Sequence, residues 1–183
     1  MPKIVNFNGK KVKERKNMEK ISHPFEPVVF NDSEILILGT FPSIKSFENN
    51  FYYSHPRNQF WDILSIVFND KKPEKKEEKI EFLKKHKIAL WDSVCECKRK
   101  NGNSRDDNLE IIKPCDIPKF LTEHPNIKKT AVTSRTGEKV LKKHFKNHPF
   151  LSELIYLPSP SPLNARMNPK QKAEQWKKLL QLT

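Results

Sequence analysis

Four short apolar runs, separated by longer polar segments, predict the buried strands of this chain. They occupy residues 34–38, 88–91, 130–133 and 154–157. Each run is continuous rather than alternating in polarity, which is typical of strands that are covered on both faces in a parallel sheet. Helical patterns lie between the runs, so strands and helices alternate along the chain. This order predicts an α/β fold, a three-layer α/β/α sandwich with a central four-stranded, mostly parallel sheet.

The helical patterns differ in how much of their surface is apolar. Residues 58–68 place bulky apolar side chains three and four positions apart on a wide stripe, which predicts a helix buried on most sides. Residues 75–86 and 137–145 carry a narrower apolar stripe among charged residues and are expected to form outer helices. A last helix is predicted to begin at Asn168, a capping residue that is followed by Pro169 at the first helical position.

The chain of 183 residues is long enough for one domain with a proper core but too short for two large ones. Residues 1–30 are polar and basic and are expected to form an arm or a covering segment, with residues 31–183 forming the domain itself. No apolar stretch approaches the ~18 to 20 residues that a membrane helix needs, and the N-terminus has no apolar signal core. We therefore expect a soluble, cytoplasmic protein with no membrane partner.

The charge of the chain is strongly positive. Lysine and arginine number 35 against 22 aspartates and glutamates, which gives a net charge of +13. A field of this size favours a polyanionic partner, and nucleic acid is the default expectation. A genome-wide bias toward lysine codons would give the same net positive charge. The charge is therefore consistent with nucleic-acid binding but does not establish it.

The three cysteines, Cys95, Cys97 and Cys115, are odd in number and do not frame a small disulfide-rich scaffold. Cys95 and Cys97 form a C-x-C pair with no histidine at zinc-finger spacing, so no metal site is expected. Three cysteines are also too few for an iron–sulfur cluster with four cysteine ligands. We expect reduced, structural thiols and no cofactor.

Candidate chemistry lies in the loops that follow the strands, where ligands bind in open parallel sheets. Gly39 follows the first apolar run directly, in a chain with only 4 glycines. This placement indicates a backbone that takes positive φ or approaches a ligand closely, and a simple turn glycine is the alternative. The scarcity of glycine also excludes a Walker loop and a G-x-G-x-x-G dinucleotide motif.

Four blocks of the sequence resemble one known family when they are taken together and in order. They are GTFPS at residues 39–43, FYYSHPRNQFW at 51–61, ALWDSV at 89–94 and LPSPSPLN at 157–164. These blocks are similar to the uracil-DNA glycosylase superfamily, and most of all to its hypoxanthine-DNA glycosylase type, also called family six. The similarity spans roughly residues 33–166, and HPRNxFW is its specific part.

The resemblance implies a monofunctional DNA glycosylase that flips a deaminated base, hypoxanthine or uracil, out of DNA and hydrolyses its N-glycosidic bond to leave an abasic site. Such an enzyme extrudes the base into a pocket, because a base inside the stack cannot be attacked. The family's catalytic asparagine carries over to Asn58, whose carbonyl would hold the attacking water and whose NH₂ would contact the base or sugar. An N-cap role in the following helix is the alternative for Asn58.

The resemblance places the extruded base against the first two blocks. The implied base-binding residues are Gly39, Thr40, Phe41, Pro42, Phe51, Tyr52 and Tyr53. An aromatic face contributes about 1 to 3 kcal/mol per stacked base. At least one of the three aromatics at 51–53 is expected to be core instead, and Tyr52 and Tyr53 cannot both face inward if the segment is extended.

Two positions depart from the family's pattern. Phe41 stands where the better-known uracil branches have aspartate or asparagine, so no carboxylate base is available there, and Asp62 and Asp92 are the nearest alternatives. Ser159 stands where the second motif often has histidine, and serine is the weaker donor as negative charge develops on the base. His55 is a substitute donor, or else a structural histidine. The implied catalytic residues are Asn58, His55 and Ser159.

The last block resembles a loop that enters the minor groove of DNA. Its prolines stiffen the loop, which lowers the cost of ordering it on DNA. Leu163 would be the wedge that fills the gap left by the extruded base, and packing against the core is the alternative. The implied DNA-binding residues are Arg57, Ser161, Leu163, Asn164 and Arg166, with Lys45, Arg99 and Arg105 as weaker candidates for phosphate contacts.

Two further functions are compatible with the same residues. A catalytically weak or inactive reader of damaged or single-stranded DNA would carry the same charge and the same pocket. A hydrolase of free nucleosides is a third interpretation, which the strong positive charge disfavours. We expect a monomer whose partner is DNA containing deaminated bases.

Overall fold

The computed structural model describes residues 19–99 and 105–182, so the first part of the predicted basic arm lies outside the described residues. Within these ranges the strands are β1 (Lys20–Ser22), β2 (Ile35–Gly39), β3 (Ile88–Asp92), β4 (Val94–Arg99), β5 (Leu109–Pro114), β6 (Lys129–Val132) and β7 (Ile155–Tyr156). The α-helices are α1 (Ile44–Glu48), α2 (Phe60–Val67), α3 (Lys76–Lys85), α4 (Ile117–Glu123), α5 (Arg135–His144) and α6 (Pro169–Leu180), and short 3₁₀ helices span Asp106–Asn108 and Pro149–Ser152. Every strand and helix predicted from the pattern is present, with small differences at the ends. No helix in the described ranges has both the length and the apolar character needed to cross a membrane.

The central sheet is the one that the apolar runs predict. Its strands lie in the order β3-β2-β6-β7, and each neighbouring pair is parallel. All five residues of β2 are buried, because helices cover both faces of the sheet. Since the strands run in the same direction, their carboxyl ends collect at one edge, and the loops after β2, β3 and β6 meet there.

The side chains of β2 alternate between two apolar layers. Ile35 and Ile37 pack with residues of α2, α3 and α6, whereas Leu36 and Leu38 pack with residues of α4 and α5. Burying each such side chain contributes about 1.5–3 kcal/mol. Helices on both faces complete a three-layer α/β/α sandwich, which confirms the predicted fold class.

A second, antiparallel sheet was not predicted from the sequence. Its strands lie in the order β1-β4-β5. One residue separates β3 from β4, so the chain leaves the parallel sheet and continues directly into the antiparallel one. Only Val94 and Cys97 are buried in β4, and this apolar signal is too weak to mark a strand.

The described part of the N-terminal segment is anchored to both sheets. β1 pairs antiparallel with β4, and Val28 forms a bridge with Leu90 of β3. The N–H of His23 donates to the Cys95 carbonyl oxygen at 2.8 Å. These contacts bring His23 close to the carboxyl end of β3.

Cys95 and Cys115 form a disulfide, so the prediction of reduced thiols is wrong for this pair. The two residues are 20 positions apart in sequence, and their Cα atoms are 4.8 Å apart because β5 returns alongside β4. The sequence pattern does not reveal this pairing, and it therefore does not reveal the disulfide. Cys97 is a free, buried thiol, and burial raises its pKa.

Loss of the disulfide is expected to lower the free energy of unfolding by about 3 kcal/mol, because the crosslink constrains a loop of about 20 residues in the unfolded chain. The double variant Cys95→Ser/Cys115→Ser should unfold at a lower denaturant concentration than the wild-type protein. A reductant should shift the wild-type midpoint in the same direction and leave that of the double variant unchanged. A reductant-insensitive wild-type midpoint would show that the crosslink does not form or does not stabilise the fold.

Candidate active site

A cavity of about 600 Å³ opens at the carboxyl edge of the parallel sheet. Its wall is formed by the loops after β2 and β6, the last residue of β3, the segment between β4 and β5, the turns before α2 and the loop after β7. The volume lies within the range of about 300–1,000 Å³ that is typical of small-molecule sites. The position is the one expected for a ligand in an open parallel sheet.

Most residues that the resemblance implied line this cavity. They are Gly39, Thr40, Phe41, Pro42, Tyr52, Tyr53, His55, Arg57, Asn58, Ser159, Ser161, Leu163 and Asn164. Phe51 is instead buried beside Trp61, with ring centroids 6.2 Å apart, which corrects its assignment to base binding. Of the three aromatics it is the one that does not line the cavity, although Tyr52 also packs in the same core cluster. Arg166 is exposed outside the cavity, on the chain between β7 and α6.

Tyr52 and Tyr53 both line the cavity because the backbone turns between them instead of running straight. Tyr53 has a φ of 50°, a left-handed conformation that an extended strand does not contain. Its ring stacks on Phe60 with centroids 3.8 Å apart, and its hydroxyl lies 3.3 Å from Thr133 Oγ1. The Tyr52 hydroxyl donates to the Glu26 carbonyl oxygen at 3.0 Å. Burial raises the pKa of both phenols, so both side chains form a neutral wall.

Asn58 lies on the cavity wall immediately before α2. Its Oδ1 accepts from the Phe60 N–H at 3.0 Å, so the side chain satisfies a backbone donor of the first helical turn. A carbonyl oxygen has a second lone pair, and the amide nitrogen has two N–H donors. The helix contact therefore leaves one acceptor site and the NH₂ group for a ligand. The N-cap residue of α2 is Gln59, so Asn58 supports the helix from one position before the cap that was considered from the sequence.

Two loops that are far apart in sequence are joined beside Asn58. The N–H of Gln59 donates to the Pro160 carbonyl oxygen at 2.9 Å. Lys172 of α6, which is completely buried, donates to Gln59 Oε1 at 2.7 Å and to the Asn164 carbonyl oxygen at 2.9 Å. The HPRN turn (residues 55–58) and the proline-rich loop (residues 157–164) are thus held together on one side of the cavity.

His55 and Ser159 face the cavity as hydrogen-bond donors. The His55 Nδ1 atom accepts from the Arg57 N–H at 3.1 Å, so in the neutral ring the proton resides on Nε2. Ser159 Oγ accepts from the Ser161 N–H at 3.2 Å, which leaves the hydroxyl proton for another acceptor. Both groups can therefore donate to an oxygen or nitrogen atom placed in the cavity.

Leu163 stands at the cavity and is 71% exposed, so the alternative of packing against the core is wrong. Its own N–H donates to Ser161 Oγ at 3.3 Å, and Asn164 Nδ2 donates to the Ser159 carbonyl oxygen at 3.3 Å. The loop is therefore braced by local hydrogen bonds while the leucine side chain projects into solvent. An apolar side chain presented in this way is suited to insertion into a base stack.

The need for glycine at position 39 comes from Asp92. A Cβ atom on Gly39 would lie 2.3 Å from Asp92 Oδ1 and 3.0 Å from the Tyr53 hydroxyl. Asp92 is 4% exposed, and its Oδ2 lies 2.7 Å from His23 Nε2. Gly39 does not take the positive φ considered from the sequence, and the close approach that its missing side chain permits is to a carboxylate of the protein.

Carboxylates reach the cavity from one motif position and from a segment that the motifs do not mark. Of the two considered from the sequence, Asp92 lines the cavity, whereas Asp62 pairs with Lys72 at 2.8 Å on the surface. Asp106 also lines the cavity and was missed, as was His23 behind Asp92. Asp106 lies in a polar segment with no hydrophobic period, and only the pairing of β4 with β5 brings it to the site.

Asp106 is held by hydroxyl groups from two neighbouring loops. Thr40 Oγ1 donates to Asp106 Oδ2 at 2.6 Å, and Ser134 contacts Thr40 Oγ1 and hydrogen-bonds the same carboxyl. Burial raises the pKa of Asp106, and the charge of Asp92 acts in the same direction, whereas the two hydroxyls and Arg99 oppose the shift. The net increase means that ionised Asp106 costs folding free energy near neutral pH.

Asp106→Asn is therefore expected to stabilise the fold at neutral pH. An aspartate whose pKa is raised on folding contributes stability below its unfolded pKa of about 4, and this contribution is lost as the pH rises through the folded pKa. Asparagine does not titrate, so the variant should unfold at a higher temperature than the wild-type protein at about pH 7, with a smaller difference near pH 4. Thermal unfolding across this range measures the effect. A variant that is less stable at neutral pH would contradict it.

Comparisons with known proteins agree with this architecture. The family model of the uracil DNA glycosylase superfamily matches residues 27–180. The solution NMR structure of a candidate uracil DNA glycosylase from Methanosarcina acetivorans superposes with a TM-score of 0.68 at 26% sequence identity, covering 85% of this chain and 93% of that one.

Two curated relatives are named hypoxanthine DNA glycosylase. The one from Methanosarcina barkeri is 37% identical over 105 residues, which is 57% of this chain and 65% of the relative. The one from Methanosarcina acetivorans is 36% identical over 73 residues, which is 39% of this chain and 46% of the relative. Each match thus spans less than two thirds of the relative's length. The family model, in contrast, covers most of this chain, and the fold agrees with that of the superposed structure. The chain therefore belongs to the uracil DNA glycosylase superfamily.

Proposed function

We propose that this protein is a monofunctional DNA glycosylase that flips a deaminated base, hypoxanthine or uracil, out of DNA and leaves an abasic site. The observation that carries the proposal is the joining of the HPRN turn to the proline-rich loop around one cavity. Asn58 lies on the wall of this cavity and Leu163 at its exposed edge. The names of the two Methanosarcina relatives support the same activity.

The cavity suits a flat ring that has left the duplex. Phe41, Tyr52 and Tyr53 line it with aromatic surface, and each is held by contacts that do not involve a ligand. A stacked base gains about 1 to 3 kcal/mol from an aromatic face, and a preformed wall does not lose this gain to reordering. Polar groups on the opposite loops would contact the edge of the base.

Asn58 would position the water that attacks the sugar. The water oxygen forms a bond to C1′ while the bond from C1′ to the base nitrogen breaks, and the base departs with the electron pair of that bond. One proton of the water is released to solvent or to the departing base. Because the amide acts by orientation and not by ionisation, its contribution is one of proximity.

Negative charge on the departing base would be stabilised by donors on the cavity wall. His55 Nε2 and the Ser159 hydroxyl are available for this purpose. Preorganised donors of this kind are worth about 10²–10³ in kcat when one is removed from an enzyme site. They would take the place of the histidine that the family often has at the position of Ser159.

The DNA would lie across the mouth of the cavity. Leu163 would occupy the gap in the stack, with Arg57, Asn164 and Arg166 near the phosphates or the opposite base. The net charge of +13 favours association with the polyanion. We expect the protein to act in the cytoplasm as a monomer.

Base release from defined duplexes tests the proposal. A 30-base-pair duplex with a single hypoxanthine or uracil should yield abasic sites that alkali cleaves, whereas the matched duplex with only normal bases should not. The yield should fall with increasing salt, because phosphate contacts release counterions. Tight binding of the lesion duplex without any abasic product would instead identify a reader of damaged DNA. Equal activity on free inosine would identify a nucleoside hydrolase.

Leu163→Ala is expected to lower kcat/KM on a duplex substrate by about tenfold, because the side chain that replaces the extruded base is lost. On a single-stranded substrate the loss should be small, since there is no gap in a base stack to fill. The matched control is Leu179→Ala, which truncates another exposed leucine away from the cavity. Equal losses on duplex and single strand would show that Leu163 does not act as a wedge.

A further inference from the structure

Asp106 is a cavity-lining group to which the glycosylase mechanism assigns no task. It sits on the 3₁₀ turn between β4 and β5, so its position depends on the antiparallel sheet and not on the motifs of the family. Two hydroxyl groups orient it, those of Thr40 and Ser134. A side chain oriented this firmly on the wall of a ligand cavity is suited to recognition.

The hydrogen bonds around Asp106 mark it as an acceptor. Thr40 Oγ1 donates its proton to Oδ2, and Ser134, whose oxygen already accepts from the Gly137 N–H at 2.8 Å, has one proton to donate to the carboxyl or to Thr40 Oγ1. An ionised carboxyl group has about four lone-pair sites and no donor. Two hydroxyls leave acceptor capacity for an N–H group of a ligand in the cavity.

Hypoxanthine and uracil differ in the polarity of one edge from adenine and cytosine, the bases whose deamination forms them. Hypoxanthine and uracil carry a lactam, in which a ring N–H stands next to a carbonyl. Adenine and cytosine carry at the same place an unprotonated ring nitrogen next to an amino group. A fixed carboxylate accepts a hydrogen bond from the lactam N–H, whereas it meets the lone pair of the unprotonated ring nitrogen with repulsion.

We propose that Asp106 is a specificity-determining residue, whose carboxylate accepts the ring N–H of the lactam edge and thereby selects deaminated bases against adenine and cytosine. This inference rests on the proposed glycosylase function and names the group that reads its substrate. The carboxylate selects mainly by rejecting adenine and cytosine, because either base leaves a charged oxygen facing a lone pair with no proton between them.

Two other carboxylates line the cavity, and both are less suited to this role. Asp107 pairs with Arg105 at 2.9 Å. Asp92 is engaged on both of its oxygens. Its Oδ2 lies against His23 Nε2, and its Oδ1 covers the Cα of Gly39. The residue is 4% exposed, so little of its surface is offered to a ligand. Asp106 is only partly buried, and the Thr40 hydroxyl donates to its Oδ2. The rest of the carboxylate is available to a ligand in the cavity.

The test compares two substrate bases in two proteins. Duplexes carry either hypoxanthine or unsubstituted purine, which has a lone pair at N1 in place of the N–H, and release of each base is measured as kcat/KM. The ratio of hypoxanthine to purine should be about 10- to 100-fold higher for the wild-type protein than for Asp106→Asn, as expected for a hydrogen bond to a charged group. Differences in the intrinsic reactivity of the two bases cancel, because the same pair is used in both proteins.

Glu110→Gln is the matched control, since it removes the same charge from an exposed position on β5 outside the cavity and should leave the ratio unchanged. Thr40→Val keeps the carboxylate but removes the hydroxyl that orients it, and it should lower the ratio in the same direction by a smaller factor. This second variant tests the inference even if Asp106→Asn fails to fold. An unchanged ratio in either folded variant would overturn the inference.

A binding measurement separates this inference from the proposed function. Duplexes with a 2′-fluoro sugar resist cleavage of the glycosidic bond, so equilibrium binding of hypoxanthine and purine duplexes can be compared without turnover. Suppose that the wild-type protein releases no base but binds the hypoxanthine duplex at least tenfold more tightly than the purine duplex, and that Asp106→Asn does not. The role of Asp106 in base recognition is then supported, and the proposed hydrolysis is wrong. If base release occurs but neither assay depends on Asp106, the proposed glycosylase activity is supported and the proposed recognition of the base by Asp106 is wrong.

Discussion

Asn58→Ala is expected to lower the kcat of base release by about 100- to 1,000-fold, because the group that positions the water and contacts the sugar or base is removed. The Asn58 side chain lies on the cavity wall with its NH₂ group and one carbonyl lone pair available. Binding to a duplex that already contains an abasic site should change little, since phosphate contacts do not involve this amide. Single-turnover release from a hypoxanthine duplex measures the first effect, and equilibrium binding measures the second.

The control for this variant must account for the helix. Asn58 Oδ1 accepts from the Phe60 N–H, so alanine also removes a capping contact worth about 1 kcal/mol. Asn58→Ser keeps an oxygen that can accept from this N–H but lacks the amide, and it should be as inactive as the alanine variant while remaining more stable. Recovery of activity by Asn58→Ser would mean that the residue acts through the helix alone. Full activity of Asn58→Ala would remove the proposed mechanism.

The parallel sheet was predictable because burial on both faces leaves an unmistakable mark on the sequence. All residues of Ile35–Gly39 are buried, and such a strand must be continuously apolar. The start of α6 was predictable for a local reason, since Asn168 accepts from the Gln171 N–H within the same turn. The positions of residues 39–43 and of the turns before α2 at the cavity follow from the rule that loops after parallel strands share one edge.

The remaining features depend on contacts between distant residues that carry no periodic signal. The antiparallel sheet joins Lys20 to Lys98 and Glu110 to Lys98, pairs of polar residues that resemble any exposed loop. This sheet in turn places Asp106 on the cavity wall and carries Cys95 to within bonding distance of Cys115. The turn that brings both Tyr52 and Tyr53 to the cavity was not predicted for a related reason, because the left-handed φ of Tyr53 is imposed by the fold and not by its residue type.

Gly39 was recognised from its sequence motif, but the reason for a glycine there is visible only in the structure. The reason is its contact with Asp92. Gly39 ends β2, and Asp92, its register partner, ends β3. In neighbouring parallel strands a side chain at this position packs across the partner's backbone, and here the carboxylate of Asp92 occupies the space that a Cβ would need. His23 fixes that carboxylate from behind. The glycine is thus a consequence of where Asp92 is held.

Gly39→Ala is accordingly expected to lower the free energy of unfolding by about 2 to 4 kcal/mol and to abolish most base release. The new methyl group would lie 2.3 Å from Asp92 Oδ1, so the carboxylate must move and its contact with His23 is broken or strained. Denaturant unfolding measures the loss of stability, and base release from a hypoxanthine duplex measures the loss of function.

A double-variant cycle identifies Asp92 as the cause. In an Asp92→Ala background the obstructing carboxylate is absent, so adding Gly39→Ala should cost less than about 1 kcal/mol, and the coupling between the two positions should lie at the upper end of the roughly 0.5–3 kcal/mol found for residues in contact. Strict additivity of the two substitutions would show that the alanine is resisted by the backbone of β2 or by the Tyr53 hydroxyl, which lies 3.0 Å from the position that the methyl carbon would take, and not by Asp92. Because Asp92 lines the cavity beside Asp106, relief of the clash should restore stability without restoring base release, since the carboxylate that shapes this wall would still be missing.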